Sequence, residues 1–376
     1  MTSPNLLYYD VLISNFQNVN INTNHAQYTE SRQQAFLLEP SNYNLSVVRW
    51  TADTSSLPIW RCEIQPDSDD SNLSIYSVTL VYSGTPYQAY LNYIPQSKVT
   101  PVPTAPSLNG GIQSNLNLYY DVYSYQYVVY LFNLCFKDAF ALLPQTIQDL
   151  TFPPTMIFNP DNKTISLYCD QDYYDDTNII DPQIGIFFNV ATAGLFSSFP
   201  YYVNKISDPN GLNYQLITNV FGLNNTSPFP PTSVPDDGTY QYTALVIYQE
   251  YSTVSQWNPV TSMVITSTSL PVSPNAVSGT VKSTDINGYA TTLTGQQNNV
   301  VFPIITDFCA DTSLSGYKPY IYYVPSAEYR RIQLLGSTPL TNIDVSLFWR
   351  GRDGQLNAFI LGSGNTVTVK LLFEKK

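Results

Sequence analysis

Residues 366–373 read TVTVKLLF, with Val367, Val369, Leu371 and Phe373 on one side of an extended chain and Thr366, Thr368, Lys370 and Leu372 on the other. A period of two is the mark of a strand with one face in a core. Strand signals recur upstream at 341–349, 317–324, 300–308, 260–268 and 240–249, with Trp257-Asn258-Pro259 at the turn between the last two. Near the start of the chain, 43–51 is rich in β-branched and aromatic residues, and 58–64 and 73–82 alternate. Turn formers such as ADTSS and QPDSDDSN separate these runs. Roughly three strands before residue 83 and five or six after 239 match the eight of a jelly roll.

The middle of the chain has a different rhythm. Val122, Tyr125, Val129, Phe132, Phe136, Ala139 or Phe140, and Leu143 recur at steps of three and four. That spacing predicts a helix within 120–143, closed by Pro144 and held by packing, since its many aromatics are weak helix formers. Around it lie a predicted hairpin, 155–158 with 164–169 across NPDNK, and a strand at 183–189. Stretches rich in Pro, Ser and Gly follow residue 83 and precede 239. The expected fold is therefore dominated by β structure: a single jelly roll, an eight-stranded antiparallel sandwich, from 41–83 and 239–376. A mixed β/α insertion domain spans 84–238, and 1–40 forms an N-terminal arm. Another register would place the 155–189 strands in the main sandwich. Two apolar tufts in the arm, 6–9 and 11–16, are suited to docking on a neighbouring subunit or belong to a frayed terminus.

Composition narrows the function. Of 376 residues 43% are hydrophobic and only 12% are charged, about half the usual charged share. The polar remainder is mostly Asn, Ser, Thr and Gln, and there are 31 Tyr. Neutral, Tyr-rich surface is cheaper to desolvate than charged surface and suits interfaces. The net charge of -12 excludes a broad nucleic-acid-binding face. Small basic clusters remain at Arg330-Arg331, at Arg350 with Arg352, and at Lys375-Lys376. The last reads as a C-terminal tail that could meet a genome, or as ordinary surface charge. There is no secretory leader pattern and no apolar run long enough to span a membrane, so the five Asn sequons carry little meaning.

Catalytic and metal chemistry find no footing, and no catalytic, cofactor or metal residue is assigned. His25 is the one histidine and lies in the polar arm. Cys62, Cys135, Cys169 and Cys309 are far apart and read as buried thiols. No nucleophile elbow or phosphate loop occurs, and Gly362-Ser363-Gly364 is a turn. The acidic run Asp170, Asp172, Asp175, Asp176 with Asp181 beyond it offers oxygen ligands for Ca²⁺, or forms a solvated loop.

The C-terminal third carries a resemblance. Residues 249–251 with Trp257-Asn258-Pro259, MVITSTSLP at 263–271, PIITDF at 303–308, YVPSAEYRRI at 323–332 and the run from Asp344 to Lys376 resemble, in joint order, penton or minor capsid proteins. The family is that of Sputnik-type virophages and related polinton-like double-stranded DNA viruses. IFNPDNKTISLY at 157–168 is similar too. The resemblance implies a structural, non-enzymatic capsid protein. It would form a homopentamer at the five-fold vertices of an icosahedral virion assembled in the host cytoplasm, among trimers of the major capsid protein. The jelly roll would stand upright in the shell with the insertion outward, and contact with the genome would be weak. It implies framework strands at 303–308 and 344–349 and loops at 323–332 and 350–354. Arg350-Gly351-Arg352-Asp353 is not the Arg-Gly-Asp motif of some adenovirus pentons. Two other readings stand beside it: a jelly-roll carbohydrate-binding or host-attachment module, and a β-sandwich glycoside hydrolase with two carboxylates in a cleft.

Overall fold

The computed structural model describes residues 5–15, 25–66, 68–96, 118–175, 183–218, 226–228, 243–272, 281–284, 290–292, 303–308, 320–324, 331–352, 354, 356–362 and 364–376. The expected loop at 97–111 lies outside them, as does most of the Pro-rich break at 223–238.

Two sheets build a sandwich. In the first, Leu6–Ser14 pairs with Thr366–Lys375, which pairs with Tyr43–Asp53, which pairs with Tyr320–Tyr323; Ile332–Gln333 also joins Tyr43–Asp53. In the second, Asn342–Gly351 is central, flanked by Val260–Thr266 on one side and by Leu356–Ala358 and Gln27–Ser31 on the other. Ile304–Phe308 extends it beyond Val260–Thr266, and Val281–Thr284 joins Leu356–Ala358 in parallel. The alternating residues of both sheets meet in one core. Val367, Val369, Leu371 and Phe373 face Ile343, Val345, Leu347 and Trp349, with Tyr9, Val11 and Ile13 completing the layer. Each such side chain contributes roughly 1.5–3 kcal/mol by leaving water.

The Tyr43–Asp53 strand keeps its core face only by a change of phase. Tyr43, Leu45 and Val47 point inward, and then Trp50 and Ala52 do. A β-bulge makes the shift: Lys370 opposes Arg49, the next residue Leu371 opposes Val47, and Val48 is left over. One extra residue moves the odd-numbered set off the core and the even-numbered set onto it.

The expected N-terminal arm is a correction. Leu6–Ser14 pairs over its whole length with the last strand, and Gln27–Ser31 pairs with residues 342–346. A peptide with alternating inward Tyr9, Val11 and Ile13 satisfies its backbone groups and buries apolar surface by pairing with the sheet. The C-terminal lysines are not a free tail either. Lys375 ends the last strand and its N–H donates to Asn5 O at 2.9 Å, while Lys376 Nζ donates to Ser41 O at 2.7 Å.

A second apolar cluster runs from Ile59 to Trp257 and is separate from the sandwich core. It holds three more sheets, one of them of only two strands, and the helix Tyr125–Ala141, which buries Val128, Val129, Leu131, Phe132, Cys135, Phe136, Ala139 and Phe140. Thr155–Asn159 and Thr164–Asp170 form the hairpin, whose turn is held by Asp161 N donating to Asn159 Oδ1 at 2.9 Å. The sequence-based boundaries at 83 and 239 do not follow the packing. Leu73–Tyr82 pairs with Thr85–Asn92 and Gly185–Phe188, and Thr243–Tyr248 pairs with Thr164–Asp170. Both strands therefore belong to the second cluster. Alternation reports which residues face a core, not which core. Of 58–64, Trp60–Arg61 pairs with Asp121–Val122, and Ile64 makes a single antiparallel bridge to Ser74.

Candidate assembly surface

The outer side of the first sheet is built by the residues that alternate with the core. Antiparallel pairing sets Leu12, Thr368, Thr51 and Tyr322 in one row across four strands. A parallel row holds Asp10, Lys370 and Arg49, and a third Tyr8, Leu372 and Ser46. Leu12 is 60% exposed and Tyr322 65%, with Leu6, Tyr8 and Tyr320 about as open. The charged row is internally compensated: Asp10 lies 3.5 Å from Lys370 Nζ and 3.6 Å from Arg49. Lys370 Nζ also stands 5.2 Å from the centre of the Tyr8 ring. The two apolar tufts read from sequence are thus largely one strand, Tyr9, Val11 and Ile13 inward, Leu6, Tyr8 and Leu12 outward; Phe16 lies outside the described residues. Signals for Tyr320 and Tyr322 were present as alternation in 317–324, but nothing in the sequence marked which side would be covered.

The opposite side of the sandwich is chemically different. A groove of about 360 Å³ lies over the strands Gln27–Ser31, Asn342–Gly351 and Val260–Thr266, walled by hydroxyl and amide side chains. Its floor carries Asp344. Burial pushes this carboxyl up, but hydrogen bonds outweigh that and hold it below its ordinary range. Ser267 Oγ, Thr268 N and Ser269 N donate to it at 2.7, 2.9 and 2.6 Å.

At the junction of the two clusters, Arg61 forms a buried ion pair with Asp121 and stands 5.6 Å from the centre of the Trp349 ring. Trp257 Nε1 donates to Leu195 O at 2.8 Å, and Arg352 Nε donates to Asn258 O at 2.9 Å.

The remaining residues singled out from sequence take structural places. His25 sits against Phe348, ring centres 4.6 Å apart, with Nε2 2.6 Å from Leu347 O. Burial lowers its pKa to about 4 despite that carbonyl. Asp170 receives Thr151 Oγ1 at 2.9 Å and caps the short helix Gln171–Tyr174 through Asp172 N at 3.2 Å. Burial raises its pKa to about 6. Asp176 and Asp181 lie outside the described residues, and among those described no group of three His, Cys, Asp or Glu is placed to hold a metal. Cys62, Cys135 and Cys169 are buried free thiols; Cys309 lies outside the described residues. Arg331 pairs with Glu374 at 3.0 Å and Arg350 with Asp307 at 3.8 Å; Arg330, Asp353 and Ser363 lie outside the description. The strand expected at 344–349 runs on through Gly351, so Arg350 is strand and not loop. No helix among the described residues is long and apolar enough to cross a membrane.

Comparison with known proteins gives this β sandwich with its separate β/α body a class, that of capsid building blocks. The family model for Sputnik minor capsid protein V18/19 matches residues 7–375, and the chain belongs to that family. "Structural protein V19" of Sputnik virophage is 25% identical over 222 residues, 59% of this chain and 94% of that protein. "Uncharacterized protein V18" of the same virophage is 31% identical over 141 residues, 36% of this chain and 83% of the other. A chain in the 3.5 Å cryo-EM structure of the Sputnik virophage superposes with a TM-score of 0.80 at 26% identity, covering 99% of this chain and 98% of its own. The mavirus penton protein shares the fold, with a TM-score of 0.60 at 15% identity, covering 99% of this chain and all of that one. The protein is a structural component of a viral capsid and not an enzyme, with the β-dominated jelly-roll capsid fold, and it assembles with other capsid proteins.

Proposed function

We propose that the chain is a vertex subunit, five copies of which close into a ring at each five-fold position of an icosahedral shell. Neighbouring trimers of the major capsid protein would surround the ring, and assembly would take place in the host cytoplasm. The observation that carries this reading is the match of residues 7–375 to a minor capsid family, together with a whole-length likeness to a chain of the assembled Sputnik virophage. On the same reading the sandwich, residues up to Leu57 and from Val260, is the shell-embedded body, and the cluster from Ile59 to Trp257 is an outward domain. An inner-face contact with the genome would rest on few cations, since Arg331, Arg350 and Lys376 already have partners within the chain. Sedimentation of the purified protein over a concentration series tests the ring. A species of five copies supports it, and a monomer that stays monomeric when mixed with the major capsid protein removes it.

A further inference from the structure

The first sheet ends on one side at Leu6–Ser14, an edge strand nine residues long. Bonds just beyond its two ends fix which way its backbone points. Lys375 N donates to Asn5 O at 2.9 Å, and Asn15 N donates to Asn365 O at 3.1 Å. Along an antiparallel pair the bonding direction alternates from one residue to the next. The N–H and C=O of Leu7, Tyr9, Val11 and Ile13 therefore face the last strand, and those of Leu6, Tyr8, Asp10, Leu12 and Ser14 face away from the sheet. Among the described residues, none of these outward backbone groups has a hydrogen-bond partner.

This edge also lacks the devices that keep edges from pairing. The strand has no Pro, no Lys and no bulge, and Asp10, its one charge, is paired with Lys370 and Arg49. Leu6, Tyr8 and Leu12 are each half exposed or more. Elsewhere the chain does cover an edge. Thr155–Asn159 is outermost in its own sheet, and there the side-chain amide of Asn133 takes both the N–H and the C=O of Met156, at 2.7 and 2.9 Å.

We infer that Leu6–Ser14 accepts an extended segment of the major capsid protein as a further strand of the first sheet, uncharged and with aromatic or β-branched residues beside Leu6, Tyr8 and Leu12. The choice of partner rests on the vertex reading above. Unpaired donors and acceptors at every second residue are matched by another main chain. In a shell a vertex subunit meets copies of itself and the surrounding capsid protein, and copies fit this edge poorly. Two such edges pair about a two-fold axis, which stops at a dimer. One strand pair buries far less than the roughly 1,200–2,000 Å² of a stable interface, here between bodies that each carry a net charge of -12. The opposite edge of the sheet, Tyr320–Tyr323, is four residues long and too short to match all five outward positions. A segment reaching over from a neighbour already seated in the shell needs no wide contact of its own, because its tether supplies a high effective concentration.

Hydrogen exchange resolved by residue tests this, with the purified major capsid protein as the probe. The amides of Tyr8, Asp10, Leu12 and Ser14 are expected to exchange fast in the isolated protein and to slow about tenfold or more on mixing, while those of Tyr9, Val11 and Ile13 are slow throughout. Leu12→Pro removes an outward N–H that the fold does not use and should bind the probe about tenfold more weakly, whereas Leu12→Ala, which keeps the N–H, should bind better than Leu12→Pro. If the outward amides stay fast although the two proteins co-sediment, the contact lies elsewhere and the inference is wrong. Outward amides already slow in the isolated protein mean that this chain or a second copy holds the edge, which also overturns it. No association with the probe at any concentration overturns it too. The ring is judged apart from all of these, by whether the isolated protein sediments as five copies.

Discussion

The guanidinium of Arg61 forks onto the carboxylate of Asp121, with Nε 2.5 Å from Oδ1 and a terminal nitrogen 3.0 Å from Oδ2. Asp121 is fully buried beside the second cluster, whereas Trp349, whose ring Arg61 also approaches, belongs to the sandwich core. Burial pushes the Asp121 carboxyl up and Arg61 opposes that push. Arg61→Met leaves a buried carboxylate without its partner and is expected to cost about 3–5 kcal/mol. Arg61→Met combined with Asp121→Leu should recover much of that loss. Urea denaturation of the wild type and both variants checks the order.

His25 gives a pH dependence with a definite sign. Its folded pKa of about 4 lies below the ordinary 6.5, so the unfolded chain takes the proton first as pH falls. Its contribution is complete above pH 6.5, is lost progressively toward pH 4, and is of order 3 kcal/mol. Asp170, pushed up to about 6, acts with the opposite sign, costing stability as pH rises past its unfolded value. The measurement is therefore the difference between wild type and His25→Gln across pH 4–7, which should shrink as pH falls.

Trp257→Phe keeps the aromatic contacts to Phe196 and Tyr125 and removes the donor to Leu195 O. Thr253 Oγ1 also donates to that carbonyl at 2.7 Å, so the acceptor keeps a partner. The expected loss is about 1 kcal/mol, at the low end for a buried hydrogen bond, read from the midpoint of thermal unfolding.

Deleting residues 1–14 removes a strand paired residue by residue with the last strand from Leu6–Glu374 to Ser14–Thr366. Tyr9, Val11 and Ile13 leave the core and the Thr366–Lys375 strand becomes an open edge. The truncated protein is expected to aggregate at concentrations where the full chain stays soluble, as light scattering would report.

How much the sequence disclosed depended on the kind of information it carries. The clean alternation at 366–373 and 341–349 located two central strands, and steps of three and four located the helix at Tyr125–Ala141. The order of framework motifs pointed to the family. The N-terminal strand was hidden because its outward positions, Leu6, Tyr8 and Leu12, are as apolar as its inward ones, which erases the period. Adjacent Val47 and Val48 hid the bulge in the same way. The strands Leu73–Tyr82 and Thr243–Tyr248 read correctly as strands but went to the wrong sheet, since partner choice is set by contacts distant in sequence. The groove was not legible at all. Gln27, Thr29 and Ser346 are ordinary polar residues until pairing sets Gln27–Ser31 and Asn342–Gly351, near opposite ends of the sequence, side by side.

The pairing of Leu6–Ser14 with Thr366–Lys375 also fixes an order of events during synthesis. The cluster from Ile59 to Trp257 is continuous in sequence and can fold while the ribosome is still working. The sandwich cannot, because its first strand waits for its last. A nascent chain therefore carries a folded β/α cluster next to an unpaired Leu6–Ser14 strand until Thr366–Lys375 has been made. The outer side of the first sheet, which needs both strands, forms only then. Chains that stop short of residue 366 leave the core positions Tyr9, Val11 and Ile13 without the strand that covers them, so the topology itself keeps such chains from a closed sandwich.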